Sequence, residues 1–293
     1  MTAVVRYLIV GCGYAGTRVA KTLVARGPVV GITSRAESAA SLDRQGIDGI
    51  AWDLDDPAAP VPRLLTLPSA VLYFAPPPPT GVTDPRLANF LAKLTVLPTR
   101  ILYISTTGVY GDTGETVADE DAPLRPGTDR ARRRVDAEEQ IRRWGSAQRV
   151  PWTIFRVPAI YGPGRLPTER LKRGEPMIRH SEAPPSSRVH VDDLVAACLL
   201  AIAAPQAKNR VYNVTDGNST TMTEYFERVA TLCGLPPPTL VGRDEAEQRV
   251  SPEFWSFLRE TRRVDNRRLR DELGFAPRFH DLRLGILASL PAP

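Results

Sequence analysis

Cysteine is scarce in this chain. Cys12, Cys198 and Cys233 are the whole complement of its 293 residues, too few and too widely spaced for a disulfide framework or a metal-ligating set. Histidine is equally thin, with only His180, His190 and His280. Lysine supplies only 4 of the 38 basic residues, and aromatic residues make up 7%. The net charge of +5 is therefore carried by scattered arginines without interleaved aromatic side chains, which argues against a nucleic-acid surface. Long hydrophobic runs are missing too. The run before Gly11 is cut by Arg6 and is too short for a signal-peptide core. The longest, Leu194 to Ala204, falls short of the roughly 18 residues that a membrane span needs. Together these absences lead to the expectation of a cytoplasmic protein in a reducing compartment that engages neither nucleic acid nor membrane.

With 42% hydrophobic residues, the chain can bury a full core as one large domain or as a domain with a smaller companion. Its most informative stretch runs from Tyr7 to Ala20. There the apolar Leu8-Ile9-Val10 breaks into Gly11-Cys12-Gly13-Tyr14-Ala15-Gly16 and resumes with helical spacing through Val19, Leu23 and Val24. Strand, glycine-rich turn and helix in that order form a dinucleotide-binding turn. Gly11 permits the sharp turn, Gly13 lets the backbone approach a pyrophosphate, and Gly16 lets the helix lie close on the strand. The N–H groups around Tyr14 and Ala15 face the anion.

Val29 to Ile32 reads as the second strand and closes a β-α-β unit. A site for NAD usually carries an acid at the end of that strand to accept from the ribose 2′-hydroxyl. Here Thr33-Ser34-Arg35 stands instead. A hydroxyl and a guanidinium suit a 2′-phosphate, so Ser34 and Arg35 favour NADP over NAD. Ile50 to Asp55 reads as a third strand, with Asp53 and Leu54 placed to meet the adenine. Ala70 to Ala75 reads as a central fourth strand stopped by Pro76 to Pro79, which puts Ala75 and Pro76 on the cofactor wall. The fifth strand, Ile101 to Ser105, opens into Thr106-Thr107-Gly108-Val109-Tyr110-Gly111. In the C-terminal part, Thr223 to Cys233, Asp265 to Leu273 and Asp281 to Leu290 read as helices with apolar stripes, with Gly274 as a C-terminal cap.

The Ser105-Thr106 and Val109-Tyr110-Gly111 residues resemble the active-site strand of the extended and atypical short-chain dehydrogenases/reductases, the superfamily of the nucleotide-sugar epimerases and dehydratases. Three later segments resemble the same family in the same order: Thr153 to Arg165, with Pro158 and Tyr161-Gly162-Pro163; Arg188-Val189-His190-Val191-Asp192-Asp193-Leu194; and Val211-Tyr212-Asn213-Val214. The resemblance implies an α/β fold with a Rossmann-type, doubly wound parallel sheet and a smaller C-terminal substrate lobe. Residues 1-160 would form the NAD(P)-binding domain, which also receives 188-214. Residues 161-187 and 215-293 would form the lobe. It further implies an NAD(P)-dependent oxidoreductase or epimerase acting on a small polar substrate, anionic or nucleotide-linked, in an assembly compatible with a homodimer.

One departure from the family pattern stands out. Thr106 matches the hydroxyl position, but aligning Glu138 with the family's glutamate puts Arg130 where the catalytic tyrosine belongs and Arg134 where the lysine belongs. An arginine stays protonated to a pH above ~12 and cannot act as a base. Arg130 is thus expected to stabilise an oxyanion or grip an acidic group, and Arg134 to donate to the nicotinamide ribose. The same loss also suits an alternative, a non-catalytic NADP-binding redox sensor or regulatory protein.

Overall fold

The computed structural model describes residues 6–62 and 69–291. Its frame is a seven-stranded sheet in the order β3-β2-β1-β4-β5-β6-β10, in which every neighbouring pair is parallel. The strands are β1 (Arg6–Val10), β2 (Val29–Thr33), β3 (Asp48–Ala51), β4 (Ser69–Tyr73), β5 (Arg100–Thr106), β6 (Trp152–Val157) and β10 (Arg210–Asn213). The order reverses between β1 and β4, so the crossovers leave a crevice at the carboxyl ends of the strands, where open α/β sheets bind ligands.

Both faces of the sheet are covered, as a parallel sheet requires. Successive side chains on a strand point to opposite faces. Ile9, Leu72, Leu102 and Phe155 therefore meet the helices α1 (Tyr14–Leu23) and α6 (Val191–Ala203) on one side. Leu8, Val10, Val71, Tyr73, Ile101 and Ile154 meet α3 (Pro85–Ala92) and α4 (Asp129–Gln148) on the other. The remaining helix of this half is α2 (Ala36–Asp43). At α4 the Pro126-Gly127-Thr128 segment does what its residue types suggest: Thr128 accepts from Ala131 N at 3.2 Å and starts the helix.

A third apolar cluster belongs to the later part of the chain. Tyr161, Leu171, Met177, Phe226, Val229, Phe254, Trp255, Leu258 and Ile286 pack together among α5 (Thr168–Lys172), α7 (Met222–Cys233), α8 (Arg243–Arg249), α9 (Pro252–Leu258) and α11 (Leu282–Ser289). A three-stranded sheet, β11-β9-β7, joins this part to the main sheet. Its strands are β7 (Ala159–Tyr161), β9 (Pro185–His190) and β11 (Ser219–Thr221), and the pair β8 (Met177–Ile178) and β12 (Leu240–Val241) lies beyond. A capping box between Thr221 and Glu224 opens α7, while α10 (Arg267–Leu273) ends at Gly274 in the left-handed conformation, φ 66°.

Several expected bounds are corrected. The third strand ends at Ala51 rather than Asp55, because Trp52 makes its last sheet bond, to Thr33 O at 2.8 Å, and Asp53 and Asp55 follow as loop. The fourth strand runs from Ser69 to Tyr73 rather than Ala70 to Ala75, with Phe74 and Ala75 both donating to Val10 O as the chain turns off the sheet. The three C-terminal helices are found within two residues of their expected starts. The short helices α5, α8 and α9 and the strand β11 carry too few residues for a periodic signal, and β9, Pro-Ser-Ser-Arg-Val-His, lacks an apolar alternation.

Candidate functional site

The glycine turn fits a bound pyrophosphate, and its three glycines owe their identity to different causes. Gly11 has φ +80°, and a Cβ there would lie 2.3 Å from Ala75 N. At Gly16 it would lie 3.0 Å from Gly11 O and 3.1 Å from the Ile9 side chain. Protein packing explains both. Gly13 is different. It is exposed, has a negative φ of −96°, and a Cβ would meet nothing nearer than Gly11 O at 4.0 Å. No packing contact calls for glycine at 13, and the missing side chain leaves room for an anion on the first-turn N–H groups of α1.

Beside the turn lies a cavity of about 330 Å³ at the ends of β1, β2, β3 and β4, lined by Gly11, Thr33, Ser34, Trp52, Asp53, Leu54, Ala75 and Pro76 among others. It gathers the expected Gly11, Ser34, Asp53, Leu54, Ala75 and Pro76 in one place. Arg35 sits one residue outside the lining, exposed at the N-terminus of α2. Tyr14 is not on this wall. Its ring lies between the guanidinium groups of Arg18 and Arg165, 4.0 and 4.4 Å from its centroid, and its hydroxyl donates to Pro163 O at 3.1 Å. Tyr14 and Ala15 can thus serve an anion only through their backbone N–H groups.

Sequence reasoning missed Trp52, Asp55 and Arg86 at this cavity. Arg86 holds Asp55 through Nε at 2.7 Å and Nη2 at 2.5 Å, and donates to Pro76 O at 2.6 Å. The charged hydrogen bonds from Arg86 hold the Asp55 carboxyl below its ordinary range. Such a clamp ties the loop after β3 to the proline loop after β4, and no spacing in the sequence announces it.

A second, smaller cavity of about 100 Å³ opens farther along the same edge, at the ends of β5 and β6. Thr106, Thr107, Pro158, Ala159, Ser186, Ser187, Met222, Phe257 and Arg262 line it. Thr106 and Pro158 are therefore together, but away from the first cavity. The Thr106 hydroxyl accepts from Gly108 N at 3.1 Å, which fixes its rotamer at the mouth of the turn. Among the described lining residues there is no histidine, carboxylate or tyrosine.

The two arginines of α4 lie close by, one helical turn apart. Arg134 donates from Nη1 to the Tyr103 hydroxyl and to Ile104 O, both at 2.9 Å. Arg130 does not line the cavity itself. Its guanidinium stacks 4.1 Å from the Phe257 centroid and its Nη2 lies 3.5 Å from Ser256 Oγ. Burial and the neighbouring Arg262 guanidinium lower the Arg130 pKa. The like charges at 130 and 134 are kept apart by giving each its own anchor.

Behind the cleft the polar residues of the matched segments form a buried scaffold. Arg156 reaches Glu138 with Nη2 to Oε2 at 2.8 Å, the Tyr110 hydroxyl at 2.9 Å and Glu120 O at 3.0 Å. Tyr110 donates to Asn213 Oδ1 at 2.7 Å, and Ser105 to Glu138 Oε1 at 2.6 Å. Burial pushes the Tyr110 hydroxyl up to about 12, so it serves here as a neutral donor. His190, fully buried, accepts from Asp192 N at 3.2 Å and caps α6. Sequence proximity to the motifs thus reflects structure at these positions.

A parallel sheet with its order reversing at β1/β4, a glycine turn open to a phosphate, and two cavities along one carboxyl edge define a dinucleotide-binding α/β protein. Comparison with known proteins narrows the class. The sequence model of the NAD dependent epimerase/dehydratase family matches residues 7–215, and the chain belongs to that family. Protein YeeZ of Escherichia coli strain K12 is 27% identical over 294 residues, covering 93% of this chain and 96% of that protein. A functionally unknown protein from Silicibacter pomeroyi superposes with TM-score 0.83 at 30% identity, covering 97% of each chain. UDP-glucuronic acid 4-epimerase from Bacillus cereus in complex with NAD has the same fold, with TM-score 0.75 at 16% identity and 97% coverage of each chain.

Proposed function

We propose that this chain is an NAD(P)-dependent oxidoreductase of the epimerase/dehydratase class. The dinucleotide would lie along the carboxyl edge of the sheet, adenosine in the larger cavity and nicotinamide toward Thr106 and Pro158. The observation that carries this reading is Gly13, a glycine that no packing contact calls for and whose missing side chain leaves room for a pyrophosphate. When bound, the nicotinamide supplies hydride transfer with a substrate hydroxyl or carbonyl. The protein's part is to orient and polarise. Thr106 would hold the reacting oxygen, Arg130 would stabilise negative charge beside Phe257, and Arg134 would reach the ribose with the nitrogens that Tyr103 and Ile104 leave uncommitted. Ser34 and Arg35 favour NADP, since a hydroxyl and a guanidinium suit a phosphate better than a diol. The substrate would be small and polar.

A second reading is favoured by the cleft's lack of a titrating acid or base among its described lining residues: a protein that binds NADP and reports on it without turnover. One experiment separates the two. Nicotinamide absorbance is followed with NADP or NAD over a panel of small hydroxy and oxo compounds, for the parent and for Arg130→Tyr combined with Arg134→Lys. Steady turnover by the parent supports the enzyme. Tight cofactor binding with no turnover, together with a gain of dehydrogenase activity in the double variant, supports the sensor.

A further inference from the structure

Arg188 is 2% exposed, yet among the described residues no carboxylate comes within 4.0 Å of it. Its hydrogen bonds go to two neutral hydroxyls, Thr220 Oγ1 and, at 3.4 Å, Ser186 Oγ. Its guanidinium lies 4.6 Å from the Tyr225 ring centroid, and the Tyr225 hydroxyl is itself buried without a partner. Asp216 influences Arg188 only from beyond ion-pair reach. Glu224 is spent on the capping box of α7. A buried cation left to neutral acceptors is costly unless an anion completes its shell.

The strands show where that anion would sit. Thr220 stands opposite Ser186 in the β11-β9 pair, and a further bridge sets Arg262 beside Ser186. Directly paired residues project to the same face of a sheet, and Arg188, two residues along β9 from Ser186, shares it. Thr220, Ser186, Arg188 and Arg262 therefore form one polar row, and Ser186 and Arg262 also line the small cavity with Thr106. Arg130 joins from α4 through the segment that Arg262 touches: Arg130 Nη2 lies 3.5 Å from Ser256 Oγ and Arg262 Nη2 lies 3.4 Å from Ser256 O. Among the described residues Glu260 pairs with Arg262, whereas Arg188 and Arg130 have no carboxylate at ion-pair distance, Asp216 and Glu224 acting on Arg188 and Glu253 on Arg130 from farther off. Two of the three guanidinium groups are thus left without a direct ion-pair partner. The cavity, about 100 Å³, is well below the ~300 to 1,000 Å³ of pockets for drug-sized ligands, too little for a nucleoside with its diphosphate.

We infer that this wall binds a small dianion, a dicarboxylate or a phosphate monoester, as the substrate or its acidic part, rather than a nucleotide-linked sugar. The inference rests on reading the Thr106 cleft as the substrate site, but its test reads binding and not turnover, so the absence of hydride transfer would leave it standing.

The test is calorimetric and thermal-shift titration of the NADP-loaded protein with succinate, inorganic phosphate, lactate as a monoanion, and UDP. Succinate or phosphate should bind saturably, roughly tenfold or more tightly than lactate, because one more charge meets a guanidinium; whichever of the two binds more tightly names the source. Arg188→Met should weaken that dianion roughly ten- to hundredfold and raise the melting temperature of the anion-free protein, since it removes a buried charge without a direct ion-pair partner. A purely structural arginine would do the reverse. Arg262→Gln and Arg130→Gln should weaken the dianion as well, and they keep the test open if Arg188→Met does not fold. Failure of both dianions to saturate, UDP binding more tightly than either, or dianion affinity unchanged in all three variants would overturn the inference.

Discussion

The Arg134 guanidinium donates to the Tyr103 hydroxyl at 2.9 Å, binding α4 to the sheet beneath the cleft. Burial pushes that hydroxyl up to about 12, so it accepts this hydrogen bond as a neutral phenol. The position that the family resemblance assigns to a ribose-holding lysine is thus partly committed to scaffold.

Arg134→Ala should show both roles. Leaving the Tyr103 hydroxyl and Ile104 O short of a donor costs about 1 to 3 kcal/mol of stability, measured by urea denaturation. If the remaining nitrogens reach the ribose, NADP affinity in calorimetry falls roughly tenfold or more as well. A loss of stability with unchanged affinity would make Arg134 a scaffold residue only.

The proposed preference for NADP rests on Arg35, which is exposed at the start of α2 beside the cavity-lining Ser34. Arg35→Ala should weaken NADP roughly ten- to hundredfold and leave NAD nearly unchanged, because only NADP presents a phosphate to the guanidinium. Parallel titrations with the two nucleotides check this. Equal affinities before and after the substitution would make Arg35 a solvated charge.

The fold was largely legible because its signals are local. Apolar runs such as Leu8 to Val10 stand next to glycine or proline, and Thr128 and Gly274 mark helix ends by their own chemistry. The gathering of Gly11, Ser34 and Asp53 at one cavity was legible for the same reason, since they follow strand ends that the sequence announces. The lining of the second cavity was not. Ser186, Met222, and the neighbouring Phe257 and Arg262 come from three segments far apart in sequence, and their meeting is a fact of tertiary packing that no local pattern announces. Arg188 was visible only as part of a motif, because its lack of a carboxylate partner is a fact of three-dimensional packing.

Asp216 gives the molecule a pH signature. It is 4% exposed, and burial raises its carboxyl from the ordinary 3.8 to about 6. Folding therefore favours the protonated form. Its contribution is fully present below pH ~4 and is lost as the pH rises through about 6, on the order of 3 kcal/mol in all. Asp216→Asn, which can still accept from Asn218 N, should remove this slope, so that its stability relative to the parent is greater at pH 7.5 than at pH 4. Denaturation curves at the two pH values decide it. Equal differences at both would mean that Asp216 does not titrate between them.

The most direct test of the account is NADP titration of the parent beside Gly13→Val. Gly13 has room for a side chain within the protein, so the variant should still fold, which its melting transition checks. Its new methyl groups would occupy the space that the pyrophosphate needs. The account predicts saturable NADP binding by the parent and none by the folded variant. Equal binding by the two, or no binding by the parent to either NADP or NAD, would contradict it.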